Sequence, residues 1–291
     1  MNLNRRTFFL ASTGLLSSTL LAPRLHSQAA TPAANGAGLR TITYNILAAK
    51  GYPETEANRE LLLRARPQMV QRIAHELALY DPDVITFQES PAEEVVAAIA
   101  RALGYRHTYF PGGFPGAVIT RFNIVESRNC PLVEGERPSD LFTRHWGRAV
   151  LERNGRPLIV YSAHLHPSNA EVRAREVTTA LAVMAEDIAG DVPMLFQGDL
   201  NHRQDEPEYA RWQAAGLVDL LPADGAPRQL TFPSAVPEKC IDFIWANAAL
   251  ARRRASARVL FEGAFRTNPV DERSFALSDH LPVLAEFSGD W

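Results

Sequence analysis

The amino-acid sequence predicts one α/β domain with buried, mixed β-sheets. Short apolar segments rich in β-branched residues alternate with longer amphipathic segments along most of the 291 residues. No serine- and glycine-rich linker separates the two halves of the sequence. The composition, 46% hydrophobic and 22% charged, can bury enough apolar surface to offset chain entropy, which excludes a largely disordered chain.

The predicted strands and helices alternate along the chain. Consecutive β-branched residues place the first strand at 39–47. Pro67 interrupts a helical pattern at 59–80, because proline lacks the amide proton that a helix interior uses. Gly216 is a typical end for a helix at 206–215. The other expected helices lie at 91–103 and 169–189, and the other expected strands at 84–87, 117–120, 149–152, 158–163, 194–197, 241–245 and 283–287.

The N-terminal segment predicts an export signal. Arg5 and Arg6 precede an apolar run at 8–22, which falls short of the about 20 strongly apolar residues of a membrane span. Small residues follow at 27–29, as at a cleavage site. The arginine pair resembles the twin-arginine signal of bacteria, so we expect a periplasmic or secreted protein; an uncleaved anchor is the alternative. The expected divisions are a signal at 1–29, a flexible leader at 30–38 and one domain at 39–291.

Charge and cysteine content restrict the function classes. The chain carries 30 basic and 33 acidic residues, and its only lysines are Lys50 and Lys239. Proteins that track long duplexes usually present a basic surface, so this balance disfavours tight, unspecific DNA binding without excluding a nucleic-acid substrate. Cys130 and Cys240 cannot supply a disulfide framework or a cysteine-rich zinc site, and a single bridge between them stays open.

Polar side chains end several of the predicted strands. Each of these segments finishes an apolar run with an acid, an amide or an imidazole, and strand ends in α/β folds are where ligands usually bind. Unpaired charge is costly there, so each group needs a metal, an imidazole or a hydrogen-bond donor as its partner. The candidate residues are Asn45, Glu89, His164, Asp199, Asn201, Asp242, Asp279 and His280.

The acids and amides indicate a metal-assisted reaction. Glu89 and Asp279 offer hard oxygen ligands of the kind that Mg²⁺ or Mn²⁺ prefers, and Asn45 can share the same ion or hold its waters. Asp199 and Asn201 lie two residues apart, so in a locally extended chain their side chains face one way and can grip one water or one phosphate oxygen.

The histidines supply the remaining chemistry. Asp242 would orient His280, an imidazole whose ordinary pKa of about 6.5 suits a base at neutral pH. His164 offers a donor for a charged phosphoryl oxygen. Each candidate also has a purely structural interpretation, such as a strand cap for Glu89 or an aspartate-initiated turn at 199–201. The order of all these residues along the chain therefore carries more weight than any one of them.

That order resembles the endonuclease/exonuclease/phosphatase superfamily, whose fold is deoxyribonuclease-I-like. Two further segments carry the resemblance: 83–89 reads DVITFQE, similar to the family's PDVIxxQE stretch, and 116–124 reads GAVITRFNI, similar to its GxAILSRxPI stretch. The resemblance runs from about 39 to 287. It implies a four-layer α/β sandwich, in which two packed mixed β-sheets are flanked by helices and the site lies at one sheet edge.

The resemblance also implies a role for each matching residue. The implied metal ligands are Glu89, the main one, with Asn45 and Asp279 close by. The residues implied to act on the water and the phosphoryl oxygens are His164, Asp199, Asn201, Asp242 and His280. Whether Asp199 or His280 takes the proton stays open. Arg148 matches a position where relatives often carry a phosphate-facing arginine, and a structural salt bridge is its alternative role.

These observations predict an exported, divalent-metal-dependent phosphoesterase that hydrolyses a phosphodiester by in-line attack of water, with Mg²⁺ or else Mn²⁺. The substrate stays open between nucleic acid, a lipid phosphodiester and a small phosphate ester; the segment 142–146 has no equivalent of the tyrosine of abasic endonucleases. A phosphomonoesterase of the same superfamily and an inactive exported binding module are the alternatives. A calcineurin-like phosphatase is disfavoured, because the His-x-His pair at 164–166 precedes the Gly-Asp turn. We expect a monomer whose mature chain has no membrane span.

Overall fold

The computed structural model describes residues 38–221 and 227–289. The expected export signal at 1–29 and most of the expected leader therefore lie outside the described residues. Gly38, expected at the end of the leader, instead begins the first strand. Within the described ranges, no helix combines the length and the apolar character that crossing a membrane requires.

In the described residues, twelve strands form two six-stranded sheets. In chain order the strands are β1 (Gly38–Asn45), β2 (Val84–Gln88), β3 (Arg106–Phe110), β4 (Gly116–Thr120), β5 (Asn123–Asn129), β6 (His145–Arg153), β7 (Arg156–His164), β8 (Met194–Asp199), β9 (Val218–Asp219), β10 (Asp242–Ala246), β11 (Arg254–Val259) and β12 (Val283–Ser288). The first sheet has the order β11-β12-β1-β2-β4-β3, and the second has the order β5-β6-β7-β8-β10-β9.

Each sheet contains one parallel pair among antiparallel neighbours. The parallel pairs are β1 with β2 and β7 with β8, so both sheets are mixed. A hydrogen bond from Thr41 Oγ1 to Gln197 Oε1, 3.0 Å long and buried, joins β1 to β8 across the sheets. With helices on the outer faces, this is the predicted four-layer α/β sandwich, and the predicted fold class is confirmed.

The helices begin and end where local chemistry allows. The described helices are α1 (Arg59–Ala65), α2 (Met69–Ala78), α3 (Glu93–Leu103), α4 (Ala170–Ala189), α5 (Pro207–Ala214) and α6 (Ala248–Ala251), with 3-10 turns at Leu47–Ala49, Arg66–Gln68 and Gly263–Phe265. The predicted break at Pro67 is confirmed as the 3-10 turn between α1 and α2. Asn169 caps α4 by accepting hydrogen bonds from two backbone amides, and Gly104 ends α3 in the left-handed conformation.

Four strands were not predicted, namely β3, β5, β9 and β11. All four lie at the edges of their sheets, where one side of the strand lacks a hydrogen-bonded neighbour. Most of their side chains are exposed or half-buried, so their sequences lack the apolar runs that identified β2 and β8, which are buried at every position. Cys130 and Cys240 are both free thiols.

Candidate active site

The predicted site residues come from strand ends that meet at one edge of the sandwich. Asn45 is the last residue of β1, and His164 and Asp199 are the last residues of β7 and β8. Asp242 begins β10, which runs antiparallel to β8. The strand register pairs Asp199 with His164 on one side and with Asp242 on the other. The fold therefore sets these side chains side by side.

A glycine keeps two of these strands close together. Gly198 has a φ of +154°, and a Cβ built there would lie 1.9 Å from the carbonyl oxygen of Ala163 on β7. Only glycine fits at such an approach of backbone to backbone. The Gly-Asp turn identified in the sequence therefore places Asp199 next to His164.

Asp199 lies at the centre of the cluster and is almost fully buried. Its Oδ2 accepts a hydrogen bond of 3.1 Å from Asn45 Nδ2, and lies 3.2 Å from His164 Nε2 and 3.6 Å from His280 Nε2. Its Oδ1 accepts a hydrogen bond of 3.1 Å from the backbone amide of Asn201. Burial raises the pKa of Asp199, but the charges of His164 and His280 outweigh burial and hold that pKa well below its ordinary value.

His280 is fixed by a buried carboxylate. Its Nδ1 lies 2.9 Å from Asp242 Oδ2, and its backbone amide donates to Ser278 Oγ at 3.3 Å. Burial lowers the pKa of the imidazole, but Asp242 and Asp199 outweigh it and raise that pKa to about 10. The ring of Phe232 packs against the ring of His280, with 4.8 Å between the centroids. The structure thus places the predicted Asp242–His280 pair in direct contact.

Two further carboxylates face the cluster from the first sheet. Glu89 directly follows β2, and its Oε1 lies 3.4 Å from Asn45 Nδ2. Burial raises the pKa of Asp279, the charge of His280 opposes this, and the charge of Glu89 raises it further. Since two carboxylates that repel each other are stabilised by a shared cation, Glu89 and Asp279 fit a hard divalent ion. Asn45 turns its NH₂ group to the carboxylates, while its Oδ1 accepts from the amide of Leu47 at 3.1 Å.

A second group of potential metal ligands lies within the cluster itself. Asp199, Asp242 and His280 each place one ligand atom within 4.8 Å of the others. The imidazole between the two carboxylates already offsets their charge. Of the other pair, only Glu89 has a cation beside it, Arg144 at 3.3 Å, and within the described residues no basic group lies within 4.0 Å of the Asp279 carboxylate. The oxygen-only pair therefore matches Mg²⁺ chemistry better than the histidine-containing group does.

The structure adds an arginine that sequence reasoning missed. Arg144 Nη1 lies 2.9 Å from His164 Nε2 and 3.3 Å from Glu89 Oε1. Its guanidinium carbon lies 4.1 Å from the centroid of the Phe114 ring. The segment 142–146 attracted attention only because it lacks a tyrosine, and an arginine in a loop carries no motif of its own. Arg144 directly precedes β6, and the first residue of β6 pairs with His164. This position next to the partner of His164 is the feature that could have identified Arg144 as a site residue.

Arg148 lies away from the cluster. Its Nε donates to the hydroxyl of Tyr161 at 3.1 Å and to Asp187 Oδ2 at 3.2 Å, and its Nη1 lies 3.4 Å from Glu126 Oε1. Arg148 pairs with Tyr161 in the β6–β7 register, three residues before His164. The structure therefore places Arg148 in the structural ion pair that was its alternative role, and it is Arg144 that contacts the site.

The fold and this cluster agree with the comparison against protein families. The family model described as Endonuclease/Exonuclease/phosphatase family matches residues 42–280, a range that includes strands of both sheets and every member of the cluster. The chain belongs to this family, as the order of the motifs predicted. A comparison with curated protein sequences gave no match.

Solved structures share the fold at low sequence identity. An endonuclease/exonuclease/phosphatase family protein from Bacteroides thetaiotaomicron is 21% identical, with 87% of this chain and 98% of that chain covered and a TM-score of 0.65. A mannosyl-6-phosphatase from Bacteroides thetaiotaomicron VPI-5482 is 22% identical, with 85% and 98% covered and a TM-score of 0.64. The human nocturnin catalytic domain with bound sulfate is 20% identical, with 87% and 94% covered and a TM-score of 0.60. These likenesses support the fold.

Proposed function

We propose that this protein is a divalent-metal-dependent phosphoesterase that hydrolyses a phosphodiester by in-line attack of water. The observation that carries the proposal is the convergence on Asp199 Oδ2, which has Asn45 Nδ2, His164 Nε2 and His280 Nε2 within 3.6 Å. A buried carboxylate surrounded by polar hydrogens keeps its charge and its orientation. Membership of a family of phosphate-ester hydrolases supports the same chemistry.

Each residue of the cluster has a distinct task in this proposal. Asp199, held by the backbone amide of Asn201, orients the attacking water. His164 and His280 each direct Nε2 toward the same region and hold phosphoryl oxygens there. Asp242 fixes the Nδ1 proton of His280, so that the opposite ring nitrogen faces the site. Charge that develops on the phosphoryl group thus meets fixed donors on buried side chains.

Glu89 and Asp279 are proposed to hold the cation, Mg²⁺ or else Mn²⁺, next to Asn45. Their oxygen donors and their mutual repulsion favour that chemistry. The ion, when bound, neutralises phosphoryl charge and supports departure of the alcohol. Arg144 adds a fixed positive charge between Glu89 and His164, and it faces the phosphoryl group from that side.

A phosphomonoesterase is the second candidate function. A monoester presents two negative charges instead of one, and Arg144 supplies a cation beyond the metal and the imidazoles. One structural relative is named a mannosyl-6-phosphatase. The two candidates use the same residues and differ only in the group that the site admits beside the phosphate.

A hydrolysis panel tests the proposed function. Purified protein is assayed with bis(4-nitrophenyl) phosphate, 4-nitrophenyl phosphate, plasmid DNA, RNA and sphingomyelin, each with Mg²⁺, Mn²⁺ or EDTA. We expect metal-dependent hydrolysis that Asp199→Asn abolishes. Asp191→Asn, at an exposed acid in the loop before β8, removes the same charge outside the cluster and should retain full activity. Absence of hydrolysis across the panel with both metals would favour an inactive binding module.

We also propose export through the twin-arginine route to the periplasm or the medium, as a monomer. The arginine pair and the apolar run at 8–22 support this proposal. Replacing both Arg5 and Arg6 with lysine should retain the protein in the cytoplasm, as measured by fractionation and immunoblotting. Unchanged export of the double variant would contradict the proposed route.

A further inference from the structure

A polar cavity of about 330 Å³ opens beside the cluster at Asn201. A volume of this size suits a small polar group, since small-molecule sites measure roughly 300 to 1,000 Å³. Asn201 is the residue whose backbone amide holds Asp199, so the cavity adjoins the position proposed for the phosphate. Its charged lining residues are Arg173, Arg203, Glu206 and Lys239.

Two of the three cations around the cavity are neutralised within the protein. Arg173 is buried and pairs with Glu208 and Glu206. Arg203 pairs with Asp205 at 3.1 Å and approaches Glu206 at 3.6 Å. Glu206, the acid among the described lining residues, therefore contacts two arginines. The carboxylates of Asp205, Glu206 and Glu208 thus all form ion pairs with Arg173 or Arg203.

Lys239 is the third cation that lines the cavity, and it differs from the two arginines in its ion pairing. Among the residues that the structure describes, no carboxylate lies within 4.0 Å of its ammonium group. Its Nζ instead lies 4.9 Å from the centroid of the Phe232 ring, and the same ring packs against His280, with 4.8 Å between the ring centroids. Lys239 thus sits one aromatic ring away from the catalytic imidazole.

The backbone holds this lysine in place. The amide of Lys239 donates to the carbonyl of Phe232, and the amide of Phe232 donates to the carbonyl of Lys239, both at 3.0 Å. Two residues further along, the amide of Ile241 donates to Thr231 Oγ1 at 3.2 Å. A lysine anchored on a paired hairpin loses less freedom on binding than one on a free loop, which favours its use in recognition.

We propose that this cavity is a subsite for a second phosphate group of the substrate, bound by Lys239. The inference rests on the proposed function and specifies its substrate: a phosphate ester whose attached alcohol or nucleoside carries another phosphate. The unpaired ammonium attracts a second anion and disfavours a cationic head group such as phosphocholine. The subsite therefore selects small bisphosphates or 5′-phosphorylated oligonucleotide ends over phosphocholine lipids.

Matched substrate pairs test the subsite. Thymidylyl-thymidine is compared with the same dinucleotide carrying a 5′-phosphate, and fructose 6-phosphate is compared with fructose 1,6-bisphosphate. We expect the additional phosphate to raise kcat/KM roughly five- to tenfold, mainly through KM, as for one charge-assisted contact at a partly exposed site. The preference should weaken as NaCl concentration rises, because salt screens exposed charge.

Three variants assign the preference to the lysine. Lys239→Met keeps the aliphatic stem, removes the charge and should bring the ratio of kcat/KM values close to one. Lys239→Arg should preserve most of the preference. Arg101→Met removes one positive charge at the exposed end of α3 and should leave the ratio unchanged. A wild-type ratio near one, or a preference that survives in Lys239→Met, overturns the inference.

A binding measurement separates this inference from the proposed function. Calorimetry with the two dinucleotides on the Asp199→Asn protein should show tighter binding of the 5′-phosphorylated form, and Lys239→Met in that background should remove the difference. Lys239-dependent binding without hydrolysis by the wild-type protein would reject the proposed function and keep the subsite. Hydrolysis with equal binding of both dinucleotides would keep the function and reject the subsite.

Discussion

The buried Asp242–His280 pair makes the stability of the protein depend on pH in the alkaline range. The folded state raises the pKa of His280 from 6.5 to about 10, so the charged imidazole stabilises the fold. A group with a raised folded pKa contributes fully below its unfolded pKa, and the contribution disappears as pH rises through the folded pKa. The window is therefore pH 6.5 to 10. One pKa unit equals about 1.4 kcal/mol, so the largest contribution is about 5 kcal/mol.

The variant Asp242→Asn tests the contribution of the charged His280 imidazole to the stability of the fold. Asparagine keeps the shape and removes the charge 2.9 Å from His280 Nδ1. The largest contribution that raises the pKa of His280 is then lost while that of Asp199 remains, so this pKa should fall. The free energy of unfolding is measured by urea denaturation in EDTA at pH 6.5, 8 and 9.5. The difference between wild type and variant should shrink between pH 6.5 and 9.5, by at most about 4 kcal/mol for one proton over three pH units.

The comparison cancels the other groups that titrate in this range, because tyrosines and Cys240 are common to both proteins. A constant difference across the three pH values would show that Asp242 does not raise the pKa of His280, and would refute the electrostatic reasoning. Turnover provides an independent readout: Asp242→Asn should lower kcat by at least about 100-fold, since it releases the ring orientation and the stabilised charge together.

Three further predictions concern Arg144 and Arg148, Glu89, and two buried histidines, His145 and His202. Arg144→Ala should lower kcat/KM about 100-fold, as loss of one donor to phosphoryl oxygen does. Arg148→Ala should instead reduce the melting temperature and leave kcat unchanged. The opposite pattern would favour a phosphate-binding role for Arg148. Glu89→Gln should raise the Mg²⁺ concentration for half-maximal activity at least about tenfold, and an unchanged Mg²⁺ titration would reject Glu89 as a ligand. Burial lowers the pKa of His145 to about 3 and of His202 to about 4. The free energy of unfolding is therefore unaffected by these histidines above pH 6.5 and should fall by about 2 kcal/mol per histidine at pH 5. In urea denaturation, His145→Gln should reduce this loss of stability at acid pH, and an unchanged loss would contradict the prediction.

The fold was predictable where burial dictated the residue types. Strands such as β2 and β8 are covered on both faces, so their sequences are apolar throughout and identify them. The edge strands are defined by a partner on one side only, and no residue of β5 is fully buried: two of its residues are half-buried and the other five are exposed. Their pairing comes from tertiary contact rather than from local pattern.

The site was predictable to the extent that its chemistry sits on strand ends. Asn45, His164 and Asp199 follow apolar runs, so their position in the sequence marks them. Arg144 lies in a loop, and its meeting with Glu89 and His164 depends on how two distant segments pack. Arg148 lies inside a strand and has the same residue type, so sequence alone could not choose between the two arginines.

The hydrogen bond between Asn45 and Asp199 spans the two sheets, because one residue ends β1 and the other ends β8. Each sheet supplies only part of the groups of the proposed site, so neither sheet alone can form that site. Activity should therefore require that the two sheets remain packed against each other. On heating, loss of activity should coincide with global unfolding and should not precede it. Proteolytic cleavage that separates the two sheets should abolish activity even where much of the secondary structure is retained.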